Sequence, residues 1–213
     1  NFPIKYNFKK KIIYPILKKE LYGIKKKISK SRDIKKILII GGSQGASFFD
    51  SKIADIVLNF QKYNNFEIVQ QIADKNSLEK IKQRYEKAEI KYKFFEFTNN
   101  SDDIYKDIDL AITRGGASTL SELSFLNIPF IVIPLPNAID NHQFHNSNYY
   151  YQKGCCWLIE QHNFENDKIL GCISQIFNNN QDYKDKILNL RNITEQNTWN
   201  KINNRIIEIV DEN

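Results

Sequence analysis

Two glycine-rich segments of this sequence carry residue types that bind phosphate. Residues 41–46 (GGSQGA) follow the apolar run Ile37–Ile40, and residues 114–122 (RGGASTLSE) follow a second apolar run. A glycine turn between a strand and a helix exposes consecutive backbone N–H groups, and the positive end of the helix dipole favours an anion there. Both segments predict a phosphate site, although a tight turn without a ligand stays an alternative. The predicted contacts in the first segment are Gly41, Gly42, Ser43, Gln44 and Gly45, with Ser43 adding a hydroxyl donor.

The second segment adds side chains that suit a nucleoside. Ser118 and Thr119 place hydroxyl groups at the predicted helix N-terminus, and Glu122 lies one turn further along. A carboxylate there can accept hydrogen bonds from a diol such as the ribose 2′- and 3′-hydroxyls. The alternative is a capping box, in which Ser118 or Thr119 caps the helix and the acid follows about three residues later. A cap and a ligand use the same donors, so both interpretations stay open. The candidate contacts are Ala117, Ser118, Thr119, Leu120, Ser121 and Glu122.

A third polar segment, residues 134–143 (PLPNAIDNHQ), is rigidified by two prolines. Asp140, Asn141 and Gln143 are hydrogen-bonding residues of the kind that bind sugar hydroxyls. The same residues also fit a surface turn followed by a helix capped at Asp140 or Asn141. This segment by itself does not decide between the two.

Motifs of several other chemistries are missing from the sequence. No Gly-Lys-Ser/Thr follows the first glycine segment, and its G-G-x-x-G spacing differs from the dinucleotide fingerprint. His142, His145 and His162 lack metal-binding spacing, and no nucleophile elbow or reactive-cysteine signature is present. The adjacent Cys155 and Cys156 fit a buried strand as small apolar side chains. We therefore expect no metal site, no cofactor and no complete set of catalytic residues in this chain.

The elements around these motifs must bring them to one edge of a sheet. Strand-length apolar runs alternate with amphipathic helical stretches, which is the βαβ pattern of a parallel sheet covered on both faces. The predicted strands are Lys36–Ile40, Glu67–Gln71, Tyr92–Phe97, Asp109–Thr113, Pro129–Ile133 and Cys156–Ile159. The pattern predicts an α/β fold with a doubly wound, mostly parallel six-stranded Rossmann-like sheet. In such sheets ligands bind beyond the carboxyl ends of the strands.

The pattern also predicts how the chain is organised. Residues 34–213 are expected to form one domain, and residues 1–33 a connector that precedes it. Residues 178–184 (NNNQDYK) are predicted to be a polar loop, and Asn197–Val210 a final amphipathic helix. The sequence contains no methionine, so we expect Asn1 to be an internal residue of a longer protein.

Composition and charge exclude several classes of protein. The 213 residues are 41% hydrophobic and 26% charged, as in a folded globular chain, and no run approaches the ~20 apolar residues of a membrane-spanning helix. Residues 1–36 contain thirteen basic and two acidic residues, a balance of +11, whereas the rest of the chain has a balance of −5. This distribution argues against a nucleic-acid-binding domain. The basic leader suits either the surface of an anionic membrane or an ordinary solvated linker.

Three strings together resemble one family: ILIIGGSQGA, TRGGASTLSEL and IPLPNAIDNHQFHN. They are similar, in order and spacing, to the carboxyl-terminal domain of the MurG family of bacterial glycosyltransferases, from about Lys36 to the end of the chain. The resemblance implies one half of a GT-B fold, with this domain holding UDP-N-acetylglucosamine. By matching position it implies that Ser43 contacts the diphosphate, that Thr98 lies in the turn that reads uracil, and that residues 117–119 contact phosphate and sugar. Glu122 would hold the ribose, and Gln143 the N-acetylglucosamine ring.

The resemblance also implies an activity, namely the inverting, metal-independent transfer of N-acetylglucosamine to lipid I, giving lipid II for peptidoglycan synthesis. The acceptor and the presumed catalytic base would belong to an amino-terminal domain outside this chain, with residues 1–33 as the end of that domain and the connector. The location implied is the cytoplasmic face of the bacterial inner membrane, as a peripheral protein. Leu17 stands where the family commonly has an arginine that contacts the nucleotide, so this contact is either absent or made by Lys18.

The sequence leaves two alternative functions. The chain could be the UDP-sugar-binding subunit of a two-chain glycosyltransferase that is inactive alone. A binding module for NAD or a flavin is disfavoured, because the second strand ends in Gln70-Gln71 without a ribose-binding acid.

Overall fold

The computed structural model describes residues 13–24, 36–41, 48–61, 66–72, 74–96, 101–163, 166–178 and 180–211. Within them, six strands form one sheet in the order β3-β2-β1-β4-β5-β6, and every neighbouring pair is parallel. The strands are β1 Lys36–Ile40, β2 Glu67–Gln71, β3 Lys91–Phe95, β4 Leu110–Thr113, β5 Phe130–Val132 and β6 Cys156–Leu158. The predicted doubly wound parallel fold is confirmed, and the predicted strands differ from the observed ones by at most two residues at either end.

Helices cover both faces of this sheet. The α-helices are α1 Ala54–Gln61, α2 Lys75–Lys87, α3 Ser101–Tyr105, α4 Ala117–Phe125, α5 His142–Gln152, α6 Asn166–Asn178, α7 Asn180–Thr194 and α8 Trp199–Asp211. A π-helical turn, Phe49–Ile53, precedes α1, and short 3-10 helices span Lys19–Gly23, Ile139–Asn141 and Gln161–Asn163.

Each face of the sheet has its own hydrophobic core, because successive side chains of a strand point to opposite faces. In β1, Ile37 and Ile39 belong to one core and Leu38 to the other. Strands buried on both sides are typical of parallel sheets, which explains the unbroken apolar runs in the sequence.

The described residues of the predicted loop 178–184, all except Asn179, are helical, so that prediction is wrong. Asn178 ends α6, and α7 runs from Asn180 through the rest of the predicted loop. Tyr183 is buried, and its hydroxyl donates to the backbone oxygen of Asp109 at 2.8 Å. The apolar period of α7 continues at Ile187 and Leu190, beyond the polar stretch that suggested a loop.

Part of the predicted connector packs against the sheet. Leu17 and Leu21 are buried in the same core as Leu38. Tyr22 contacts the rings of Phe125 and Trp199 at centroid distances of 4.8 and 5.5 Å. The domain boundary after residue 33 stays a prediction, but residues 13–24 contribute to the core of this domain.

Candidate functional site

The parallel register brings Gly41, the first residue of the first glycine segment, and the second glycine segment to the same carboxyl edge of the sheet. Ile40 at the end of β1 pairs with Thr113 at the end of β4, and Thr113 pairs with Val132 of β5. Gly41 is buried beside this edge. The strand order reverses between β1 and β4, and such a switch point is where sheets of this kind bind ligands.

Several predicted contacts lie outside the described residues. They are Gly42, Ser43, Gln44, Gly45 and Thr98. Their assignment to phosphate and uracil stays a prediction.

The N-terminus of α4 presents free backbone donors at this edge. Gly116 occupies the N-cap position with an extended backbone, and no side chain caps the helix. The alternative interpretation, in which Ser118 or Thr119 caps the helix, is therefore wrong. The first N–H groups of a helix have no partner within the helix, so those of Ala117, Ser118 and Thr119 are available to an anion.

The remaining candidates in this segment differ in exposure. Ala117 and Ser118 are exposed, and Thr119 and Ser121 are partly buried. Leu120 is fully buried in the core, so its side chain is not available to a ligand. Helical periodicity turns the fourth residue of α4 towards the sheet, so a contact from Leu120 would come from its backbone, and its place among the candidate contacts stays a prediction.

Glu122 is held by a second helix. The hydroxyl of Tyr105, the last residue of α3, donates to Glu122 Oε2 at 2.5 Å. Tyr105 is buried, and burial together with the negative charge of Glu122 raises the pKa of this phenol well above its ordinary value. The phenol therefore stays protonated as a hydrogen-bond donor, and Glu122, which is partly exposed, keeps a fixed orientation.

Gln143 joins the second glycine segment to the loop after β5. Its Oε1 accepts hydrogen bonds from the backbone N–H of Gly115 at 3.2 Å and of Leu135 at 3.0 Å. The side-chain oxygen is thereby occupied, so the Nε2 amino group of Gln143 is the polar part of the side chain that is left to contact a sugar. Asn146 Nδ2 donates to the oxygen of Gly115 at 3.1 Å, which ties α5 to the same turn.

Gly115 is required by this close approach. A Cβ atom at this position would lie 2.3 Å from the backbone oxygen of Gln143 and 2.6 Å from Ser147 Oγ. At Gly116 a Cβ atom would meet nothing within 4 Å. The two adjacent glycines therefore differ: Gly115 allows α5 to pack against the turn, and Gly116 faces open space.

Arg114 lies at the centre of the edge, and no role for it was predicted from the sequence. Its Nη1 donates to the backbone oxygens of Ile133 and Pro134 at 3.1 and 3.3 Å and to Gln161 Oε1 at 2.7 Å. Among the described residues no carboxylate lies within ion-pair distance of it, and Nε is buried without a partner. Burial lowers the pKa of the guanidinium to about 10, so it stays positively charged at neutral pH. The sequence feature that could have indicated this role is an arginine directly before a glycine pair at the end of a strand.

A buried polar network anchors the turn that follows the first glycine segment. Asp50, in the π-helical turn, accepts from Ser77 Oγ at 3.1 Å and from Gln70 Nε2 at 3.5 Å. Tyr85 donates to Gln70 Oε1 at 2.6 Å. Burial raises the pKa of the Asp50 carboxyl above its ordinary value. This network was not predicted from the sequence, because its members lie on three separate elements.

The loop between β5 and α5 exposes the other predicted polar residues. Asp140 and Asn141 both have positive φ, 51° and 52°, a conformation that Asp and Asn tolerate better than most residues. Asn141 occupies the N-cap position of α5 without a side-chain cap bond, so the predicted capping role is wrong for Asn141. Both side chains are exposed at this edge, and their contact with sugar hydroxyls stays a prediction.

The fold and the site define a Rossmann-like α/β domain with glycine turns at its switch point. Residues 36–204 match the family model described as the glycosyltransferase family 28 C-terminal domain, and this chain belongs to that family. The family expected from the three sequence strings is thus confirmed. Among the described residues no helix is long and apolar enough to cross a membrane.

Two curated relatives carry the same enzyme name. The chain is 39% identical over 212 residues to the UDP-N-acetylglucosamine–N-acetylmuramyl-(pentapeptide) pyrophosphoryl-undecaprenol N-acetylglucosamine transferase of Pelagibacter ubique, covering 100% of this chain and 59% of that protein. It is 40% identical over 167 residues to the protein of the same name from Rickettsia felis, covering 76% and 46%. The chain therefore spans about half of the length of the curated relatives it matches.

A solved structure supports the same fold. The crystal structure of Acinetobacter baumannii MurG matches with a TM-score of 0.65 at 22% identity, over 84% of this chain and 49% of that one. At this identity the similarity concerns the fold alone.

Proposed function

We propose that this chain is the donor-binding part of a transferase of peptidoglycan synthesis, which moves N-acetylglucosamine from UDP to undecaprenyl-diphospho-muramoylpentapeptide, converting lipid I into lipid II. The observation that carries the proposal is the uncapped N-terminus of α4 at the switch point, with Glu122 one turn away and Gln143 beside it. The 39% identity to a curated N-acetylglucosamine transferase, which extends over the whole chain, supports UDP-N-acetylglucosamine as the donor.

The diphosphate is proposed to bind between the two glycine segments. Donors would come from the backbone at residues 117–119 and from Gly41, Gly42, Ser43, Gln44 and Gly45. The buried charge of Arg114 adds a positive potential at the same edge, which is strengthened by its removal from water. Oriented N–H groups stabilise the negative charge that develops on UDP as it leaves, which is the chain's contribution to an inverting transfer without a metal ion.

The nucleoside and the sugar are proposed to bind on either side of α4. Glu122 accepts from the ribose hydroxyls, with Ser121 and the backbone of Leu120 beside it, and Thr98 lies at the uracil. The Nε2 amino group of Gln143 donates to the N-acetylglucosamine ring, because Oε1 already accepts from the backbone N–H groups of Gly115 and Leu135. Leu17 is buried in the core and does not contact a nucleotide, so a basic contact there would come from Lys18, which is exposed.

The acceptor and the catalytic base are assigned to the part that the longer relatives have in addition. The proposed location is peripheral, at the cytoplasmic face of the inner membrane, where the lipid acceptor lies. No nucleic-acid partner is proposed.

Isothermal titration of the chain with UDP-N-acetylglucosamine tests the proposal, with UDP-glucose and NAD as comparison ligands. We expect saturable binding that prefers UDP-N-acetylglucosamine and is weakened in Glu122→Ala and Gln143→Ala. Glu208→Ala, on the surface of α8, is the matched control and should bind like the wild type. Absence of binding by folded wild-type chain would contradict the donor-site assignment.

A further inference from the structure

We propose that Tyr105 is a positioning residue for nucleotide recognition: its hydroxyl orients the carboxylate of Glu122 towards the ribose diol of the donor. The inference rests on the proposed function, since it assumes that Glu122 receives a ribose. It assigns part of the preference for a ribonucleotide to a residue that does not itself touch the ligand.

The geometry places Tyr105 behind Glu122. The phenol oxygen lies 2.5 Å from Glu122 Oε2, a short distance typical of a hydroxyl that donates to a carboxylate. Tyr105 has only 4% of its surface exposed, whereas Glu122 is partly exposed at the edge of the site. A ligand can therefore reach the carboxylate but not the phenol.

The phenol is itself fixed by its surroundings. Tyr105 belongs to the core that includes Leu17, Leu21 and Ile104, so residues 13–24 pack on the same side of the sheet as α3. Its backbone oxygen accepts from the N–H of Ile108 at 3.3 Å. A donor held this firmly selects one orientation of a glutamate side chain that would otherwise rotate in solvent.

The Glu122 carboxylate can still accept hydrogen bonds from a ligand while it is bonded to Tyr105. A carboxylate has about four lone-pair sites, and the Tyr105 hydroxyl occupies one of them. A vicinal diol needs two acceptors in a defined geometry, which a preorientated carboxylate supplies without losing further rotational freedom when the ligand binds.

The test compares the affinities of UDP and 2′-deoxy-UDP for the 213-residue chain, because only UDP offers the complete diol. We expect the wild type to prefer UDP. Tyr105→Phe should lower that preference by about tenfold, the loss typical of one hydrogen bond to a charged group, and should approach the preference of Glu122→Gln. Tyr183→Phe is the matched control: it also removes a buried phenol hydrogen bond, to the oxygen of Asp109 at 2.8 Å, and should keep the wild-type preference.

The outcomes separate positioning from a general structural effect. Equal weakening of both ligands in Tyr105→Phe would overturn the inference, as would an unchanged preference. Wild-type binding without any preference for UDP would overturn it as well, while leaving nucleotide binding standing. A folded wild type that binds neither ligand would overturn the proposed function together with this inference.

A second measurement applies even if Tyr105→Phe does not fold. A phenol proton held against a carboxylate gives a proton resonance at unusually low field. We expect this resonance in the wild-type chain and its displacement to higher field in Glu122→Gln. Its absence from the wild type, or its persistence unchanged in Glu122→Gln, would overturn the inference.

Discussion

The guanidinium of Arg114 lies 4.9 Å from the centre of the Phe49 ring, and it also contacts the neighbouring Phe48 ring at 5.0 Å. Arg114 opens the second glycine segment, and Phe49 begins the π-helical turn that follows the first. The cation–π contact thus joins the second glycine segment to the π-helical turn that precedes α1. Hydrogen bonds from the same guanidinium reach the end of β5 and Gln161, so one side chain connects four parts of the site.

Arg114→Lys should weaken both the fold and the site. A lysine ammonium cannot reproduce the planar donors or the stacking of a guanidinium, so buried carbonyl groups lose their partner. We expect the free energy of unfolding to fall by about 1–3 kcal/mol in urea titrations. Binding of UDP-N-acetylglucosamine should weaken in the same variant. Arg205→Lys, at an exposed ion pair of α8, is the control and should change little; equal effects at both positions would contradict the role assigned to Arg114.

Substitution by alanine should lower the free energy of unfolding more at Gly115 than at Gly116. At Gly115 the new methyl group would overlap the backbone of Gln143, and such overpacking costs about 1–3 kcal/mol of unfolding free energy. At Gly116 the methyl group meets open space and the φ angle of −69° suits alanine, so the cost should be smaller, about 0.5–1 kcal/mol, because alanine is a poorer N-cap residue than glycine. Thermal and urea unfolding of both variants decide this, and a stable Gly115→Ala would refute the close approach of α5.

Asp50→Asn should change how stability depends on pH. Burial raises the pKa of the folded Asp50 carboxyl above its ordinary value of 3.8, so the folded state binds the proton more tightly than the unfolded state. The contribution of Asp50 is therefore largest at low pH and is lost as the pH rises through the raised folded pKa. An amide can still accept from Gln70 and can donate to Ser77 Oγ.

We expect Asp50→Asn to be more stable relative to the wild type at pH 7 than at pH 4, as measured by urea unfolding at both pH values. Asp74, whose charge also raises the pKa of Asp50, provides the comparison variant Asp74→Asn. A stability difference between Asp50→Asn and wild type that does not vary with pH would show that Asp50 has the same pKa in both states.

Leu21→Ala tests whether residues 13–24 belong to this domain. Leu21 is fully buried in the core shared with Tyr105, and removing a buried leucine side chain costs about 2–5 kcal/mol. Leu188→Ala, at a position that is 53% exposed, should cost far less. If both variants unfold at the wild-type urea concentration, the packing of this segment does not stabilise the domain.

Much of the fold was predictable because its signals are local. Runs such as Ile37–Ile40 and the alternation of strands with amphipathic helices report burial on both faces of a parallel sheet. The one large error, at residues 178–184, arose where a helix begins with polar residues and its buried positions are spaced too widely for a short window. Tyr183 and Asp182 anchor that stretch, and their partners, Asp109 and Trp157, are distant in the sequence.

The site was predicted in part for the same reason. Glycine turns before helices are local patterns, and they indicated where phosphate donors would lie. The side chains that support the site are not local: Tyr105 and Glu122 are separated by 17 positions, and Arg114 and Gln161 by 47. No spacing rule connects such residues before the topology is known.

The sequence by itself determined the class of sheet, the approximate strands, the glycine turns and the family, because each depends on short-range periodicity or on contiguous motifs. Only the tertiary structure decided which atoms remain free for a ligand. It showed that the side-chain oxygen of Gln143 is occupied and that Leu120 is buried. It also showed that Tyr105 donates to Glu122 and that Arg114 donates to the end of β5 and to Gln161. Those outcomes depend on the register of β1, β4 and β5 and on the packing of α3 and α5, which long-range contacts alone establish.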